Sequence, residues 1–209
     1  MTVDSDLSFK THIGEQVSKA NRQLGLVRRT FDYLDGPMMK QLFPAVVRPH
    51  LEYGASIWRP HTKEGQQQIE GVLRRATAMV PEVRDLEYED RLRALNMPSM
   101  KYRHRRGDMI EAWKHLHGRY RLDEPVLKLA DAAGGVSKRS DTLKLVRNEK
   151  KGLVDKFFPA RVARDWNSLP NSVKTAPSMN SFKNRLDSHW KAYKFRSPYG
   201  AFADYELIE

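Results

Sequence analysis

Apolar residues recur along this chain at the spacing of helices. Ile13, Val17, Ala20, Leu24, Val27 and Phe31 step by four, three, four, three and four positions, which sets them along one face of a helix. Lys19, Arg22 and Arg28 fall off that seam, on the side left to solvent or ligand. Asp35-Gly36-Pro37 breaks the chain, and Pro37 suits a first helical turn. Met38, Leu42, Val46 and Val47 continue the period, with a bend or interruption expected at Pro44 and a stop at Pro49. Ile69, Val72, Leu73, Ala76 and Val80 predict a third helix over 63–80, ended by Pro81. A short helix through Tyr88, Leu92 and Leu95 follows, with Asp85 as its expected cap. Pro98 then opens a longer one carrying Met109, Ile110, Trp113 and Leu116.

The pattern weakens between Gly118 and Gly152, where Ser140 to Val146 suggests a short strand or hairpin arm. Phe157, Phe158, Val162 and Trp166 resume a helical stripe that ends at Leu169-Pro170. A last helix starts near Ser178, with Phe182, Leu186 and either Trp190 or His189 inward. The expected fold is therefore mainly α. A helical bundle over 1–97 precedes a smaller basic helical region over 98–196 with a short β-hairpin, and 197–209 form a disordered tail. No repeat of fixed period is present.

Composition narrows the chemistry. Of 209 residues, 40 % are hydrophobic, enough for a core in one domain or two small ones. There is no apolar run of about 18 residues to span a membrane. The opening MTVDSDLSFK has no basic-then-apolar signal pattern, so the expected location is intracellular, cytoplasmic or nuclear. The absence of cysteine removes disulfides, thiolate zinc sites and cysteine nucleophiles. Residues 1–100 carry a net charge of +1, whereas 101–196 carry +13. Such a concentration repels itself, and a polyanion is the usual reason to keep it.

Specific candidates for catalysis or metal binding are weak. RPHLEYGASIWRPH, residues 48–61, holds His50 and His61 eleven positions apart beside prolines, unlike the one-turn spacing that puts two imidazoles on one helix face. Leu51, Tyr53, Ile57 and Trp58 read instead as apolar anchors of a turn, with Glu52 pairing to a nearby arginine or capping a helix. His115 and His117 point to different sides of a helix, and Arg106-Gly107-Asp108 sits inside a helical pattern. No phosphate-binding glycine loop, nucleophile elbow or His-Glu-x-x-His occurs. No catalytic, cofactor or metal residue is assigned.

The basic clusters carry more. Lys101, Arg103, Arg105 and Arg106 place four cations in six residues, and Arg28-Arg29 and Arg74-Arg75 end or line two other helices. Arrays of this kind bind nucleic acid through its phosphates with little sequence discrimination.

Several segments are also similar to one known family. Val3-Asp4…Leu7-Ser8-Phe9…His12-Ile13 and Ser18-Lys19-Ala20-Asn21-Arg22…Leu24-Gly25…Arg28-Arg29 resemble the region just after the palm in reverse transcriptases of non-LTR retrotransposons, the jockey-like and LINE-type elements. RPHLEYGASIWRPH resembles that family's Arg-Pro-x-Leu-Glu-Tyr…Trp-x-Pro signature. Ile69-Glu70…Leu73-Arg74-Arg75-Ala76-Thr77, Tyr88-Glu89-Asp90-Arg91-Leu92 and Arg105-Arg106-Gly107-Asp108-Met109 fit in order. So do Phe157-Phe158…Arg161…Trp166-Asn167-Ser168-Leu169-Pro170 and Ser181-Phe182-Lys183…Leu186.

The resemblance implies a thumb and C-terminal region of an RNA-directed DNA polymerase, gripping the template–primer backbone of RNA, DNA or their hybrid. It puts Lys19, Arg22, Arg28 and Arg29 on the first thumb helix, and Arg103, Arg105 and Arg106 in the basic region beyond. The family's aromatic-x-Asp-Asp palm motif, with its magnesium ions, would precede Met1, so this chain is expected not to polymerise alone. On the same resemblance, the fingers, the endonuclease and the zinc knuckle of some relatives are not expected within this sequence. The alternative expectation is a helical structural domain that docks on the polymerase core and leaves Tyr53, Trp58 and Trp166 exposed when isolated.

Overall fold

The computed structural model describes residues 2–4, 7–130, 143–147 and 157–199. They are mainly helical, and no strand is present among them. Two compact units form. One comprises residues through His104 together with the segment from Ala192, and the other comprises Arg105–Lys191. The division thus falls a few residues after the expected 97/98 boundary, and the late segment joins the first unit.

In the first unit, α1 (Lys10–Thr30) lies against α5 (Lys63–Ala78). The predicted seam is the buried one: Ile13, Ala20, Leu24 and Val27 face the core, packed with Ile69, Val72, Leu73 and Ala76. Phe9 precedes α1 in the left-handed region, at φ 54°. Thr62 caps α5, its hydroxyl accepting from the Gly65 N–H at 3.1 Å. Gly65 is needed for packing, since a Cβ there would stand 2.9 Å from Pro60 Cβ.

Between these helices the α-helix is interrupted at Pro44, as expected, but it is not stopped at Pro49. α2 (Gly36–Leu42), capped by Asp35 through the Met38 N–H at 2.8 Å, runs into a π-helical turn over Phe43–Val47 and then α3 (Arg48–Glu52). The Arg48 N–H reaches back five residues to the Phe43 carbonyl. A widened turn absorbs Pro44 and Pro49, neither of which can donate to an i−4 carbonyl. Gly54, at φ 68°, turns the chain into α4 (Ala55–Trp58). Leu51 and Trp58 are buried anchors, but Tyr53 and Ile57, expected beside them, are exposed. Trp58 is fixed by its indole N–H, which donates to the Tyr53 carbonyl at 2.8 Å. His12 and His104 meet its ring edge-on, with centroids 5.3 and 5.9 Å away.

α6 (Tyr88–Ala94) starts without a side-chain cap, and Asp85 lies exposed on the preceding turn. α7 (Met100–Leu116) is capped by Ser99, which accepts from the Tyr102 N–H at 3.1 Å. The same helix start is held by a buried carboxylate: Glu70 on α5 accepts from the N–H groups of Met100 and Lys101 at 3.2 and 3.0 Å. The segment after Ala192 closes this unit. Ser197 donates its N–H to Glu89 at 2.9 Å, Lys194 bonds Asn96 at 2.7 Å, and the Tyr199 hydroxyl donates to the Gln67 carbonyl. Residues 197–199 are therefore packed rather than part of a disordered tail; 200–209 lie outside the described residues.

In the second unit, α8 (Phe158–Asn167), α9 (Asn171–Lys174) and α10 (Met179–His189) gather Trp113, Val162, Trp166, Phe182, Leu186 and Trp190 inward. α10 starts where expected, and Ser178 caps it. The hairpin suggested over 140–146 reduces, among the described residues, to one antiparallel bridge between Leu129 and Leu145; 140–142 lie outside them.

Candidate nucleic-acid interface

The ten predicted cations separate into two classes. Lys19, Arg22, Arg28 and Arg29 on α1, and Arg74 and Arg75 on α5, are exposed. Lys101, Arg103, Arg105 and Arg106 on α7 are only half-exposed. On α7 the cations sit among buried residues on several sides, among them Tyr102, His104, Asp108, Met109 and Trp113.

Three arginines of α7 are bound to carboxylates. Arg103 grips Glu52 with both arms of its guanidinium, one at 3.0 Å, and Glu52 also meets Arg48 at 3.5 Å. In the other unit, Arg105 holds Asp165 at 3.0 and 2.6 Å, and Arg106 holds Asp187 with a second contact at 2.8 Å. Arg161 reciprocates from α8, gripping Asp108 at 2.9 and 3.0 Å with side-chain exposures of only 9 % and 2 %. Each is the bidentate geometry that suits a guanidinium to a carboxylate. Arg103, Arg105 and Arg106 thus each tie α7 to a carboxylate on another helix. Charge counted along the sequence could not show it, because the partners lie 51 to 81 residues away.

The exposed class is organised on one unit. Arg22 and Arg29, two helical turns apart, share a line on the outer face of α1. Asn21 and Arg28, also seven apart, share the edge that approaches α5. There the Asn21 carbonyl accepts from Arg75 Nε and Nη2 at 3.2 and 2.8 Å. Arg74 turns the other way, its guanidinium 5.2 Å from the centre of the Tyr199 ring.

Beside Arg75 the last turns of α1 and α5 enclose a cleft of about 800 Å³. Its apolar floor comes from Leu24, Leu34, Ala78 and Met79, and its cations are Arg28, Arg75 and Arg84. Phe31, Asp32 and Tyr33 complete it. Tyr33 is pinned by its hydroxyl, which donates to Glu82. Periodicity gives no hint of Arg84, which follows Pro81 outside any periodic stretch, and the link from Asn21 to Arg75 has no sequence signature.

Among the described residues no group of three His, Asp or Glu side chains is placed to hold a metal ion. No described helix is long and apolar enough to cross a membrane. The aromatic surface expected for a docking domain is largely inside: Trp58 and Trp166 are 1 % and 0 % exposed, and Tyr53 alone of the three faces solvent. Comparison with family models, curated proteins and solved structures finds no match to this chain.

Proposed function

We propose that this chain is a nucleic-acid-binding region of a retrotransposon reverse transcriptase, holding the backbone of a template–primer duplex without a catalytic centre of its own. The observation that carries the reading is the exposed cation set on α1 and α5, which coincides with the segments that resemble the thumb of those polymerases. Lys19, Arg22 and Arg29 spread over the outer face of α1 while its apolar seam stays buried. Such a face meets phosphates on a duplex without reading bases. The resemblance supplies the polymerase context; exposure and burial supply the choice of residues.

The test is a salt titration with an RNA–DNA hybrid. Wild-type affinity falls log-linearly with salt, and replacing Lys19, Arg22 and Arg29 together by alanine lowers the slope by about two to three. A slope identical in wild type and variant removes α1 as the phosphate-binding face. One observation favours the second reading, a domain docking on a polymerase core: Tyr53 is 88 % exposed beside Ile57 at 55 %. On that reading, Tyr53→Ser and Ile57→Ser change association with the upstream polymerase domains and leave hybrid binding intact.

A further inference from the structure

The cleft at the ends of α1 and α5 brings together three kinds of group that a duplex backbone alone does not require. We propose that it binds a single nucleotide unit, taking the phosphate on Arg28, Arg75 and Arg84, the base against Phe31 and Tyr33, and a sugar hydroxyl on Asp32. The inference rests on the nucleic-acid reading above and narrows it to one ligand at one place.

Size and chemistry both favour this occupant. A volume of about 800 Å³ falls within the roughly 300–1,000 Å³ of small-molecule sites, which pair an apolar lining with a few polar groups. Leu24, Leu34, Ala78 and Met79 provide the apolar wall against which a flat base loses water. Tyr33 is 58 % exposed, and its ring position is set by the bond to Glu82. An aromatic face held in place in this way stacks on any base. Asn21 engages Nε and Nη2 of Arg75 and leaves Nη1 outside that bond, so the guanidinium is oriented before a ligand arrives. Asp32, an acceptor among three cations, disfavours a long polyphosphate and favours a group that brings hydroxyl donors with one phosphate.

The same chemistry has two sources: an unpaired nucleotide at the end of a bound strand, or a free nucleoside monophosphate. Three probes tell them apart with the full chain: a blunt RNA–DNA hybrid, the same hybrid with one unpaired 3′ nucleotide, and AMP. The expected result is that the overhung hybrid binds about fivefold or more tightly than the blunt one, the scale of one stacked base. Tyr33→Ala and Asp32→Ala each remove that advantage while affinity for the blunt hybrid stays within about twofold, the range in which stacking on one base is not engaged. Both residues are exposed, and circular dichroism verifies that the variants stay folded.

AMP binding that both substitutions weaken, without an overhang advantage, assigns the cleft to the free nucleotide and sustains the proposal. AMP binding with no affinity for either hybrid also sustains it, while refuting the wider duplex-binding role. The proposal is overturned if blunt and overhung hybrids bind equally and AMP does not bind. It is equally overturned if the overhang advantage survives both substitutions.

Discussion

Tyr88 donates its hydroxyl proton to Glu70 across 2.6 Å, in a site where the carboxylate is fully buried. Burial pushes the Glu70 carboxyl up to about 7, against the opposing pull of Tyr88 and the Met100 and Lys101 N–H groups. Burial and the neighbouring carboxylate likewise push the Tyr88 phenol up, so it stays the donor. An acid whose folded pKa is raised is most favourable where both states are protonated. Its contribution is complete below about pH 4.5, declines as pH climbs, and is gone above about 7. A shift of this size corresponds to about 3 kcal/mol. Urea unfolding of wild type from pH 4.5 to 8 is expected to show that decline, and Glu70→Gln, which cannot ionise, is expected to flatten it. An unchanged slope in the variant locates the pH dependence elsewhere.

Arg161 and Asp108 form the most buried of the bidentate pairs. Removing one partner takes from the other its bidentate counter-charge in a site with almost no water. Asp108→Ala is expected to cost about 3–5 kcal/mol in chemical denaturation. The double change Asp108→Leu with Arg161→Met removes both charges and is expected to recover most of that loss. A single variant that unfolds within about 1 kcal/mol of wild type contradicts the pairing.

Arg105 and Arg22 are both arginines on helices, yet they are expected to fail differently. Arg105→Ala leaves Asp165, 6 % exposed in its side chain, without its guanidinium; a midpoint shift equivalent to about 2–4 kcal/mol follows. Arg22→Ala removes an exposed charge and is expected to move stability by less than about 0.5 kcal/mol while lowering hybrid affinity. Thermal melts and anisotropy titrations on the same two variants separate the roles. A stable Arg105→Ala with weakened binding reverses the two roles.

Gly65 sits in the first turn of α5, where alanine is normally the better helix former. Here the added methyl would meet Pro60 at 2.9 Å and the Thr62 hydroxyl at 3.2 Å. Gly65→Ala is therefore expected to destabilise by about 1–3 kcal/mol despite its propensity, read as a lower urea midpoint. At Gly14 and Gly107 an added methyl would meet nothing within 4 Å, and both are expected to tolerate the same change.

Periodicity exposed the helices and their buried seams because a 3.6-residue repeat is a local property. Ile13 through Val27 and Phe182 through Leu186 face inward as their spacing requires. Prolines are the weak point: Pro44 marks the expected interruption, but Pro49 reads as a stop and the helix runs past it. The α7 arginines show the larger gap. Four cations in six residues are visible at once, while Glu52, Asp165 and Asp187, which bind three of them, stand far off in the chain. Only folding reveals that pairing. The cleft is less legible still, since Arg84, Asn21 and Tyr33 share no motif and meet through the packing of α1 on α5.

The closing segment has a consequence for how the protein is made. Ser197 and Tyr199 complete the first unit by bonding Glu89 and Gln67, partners synthesised more than a hundred residues earlier. On a ribosome, α1 to α6 emerge and collapse with those acceptors still hydrated, and the whole second unit must be translated before the strap arrives. The first unit is begun early and finished last, so a nascent chain halted within α10 carries a first unit that cannot yet lock.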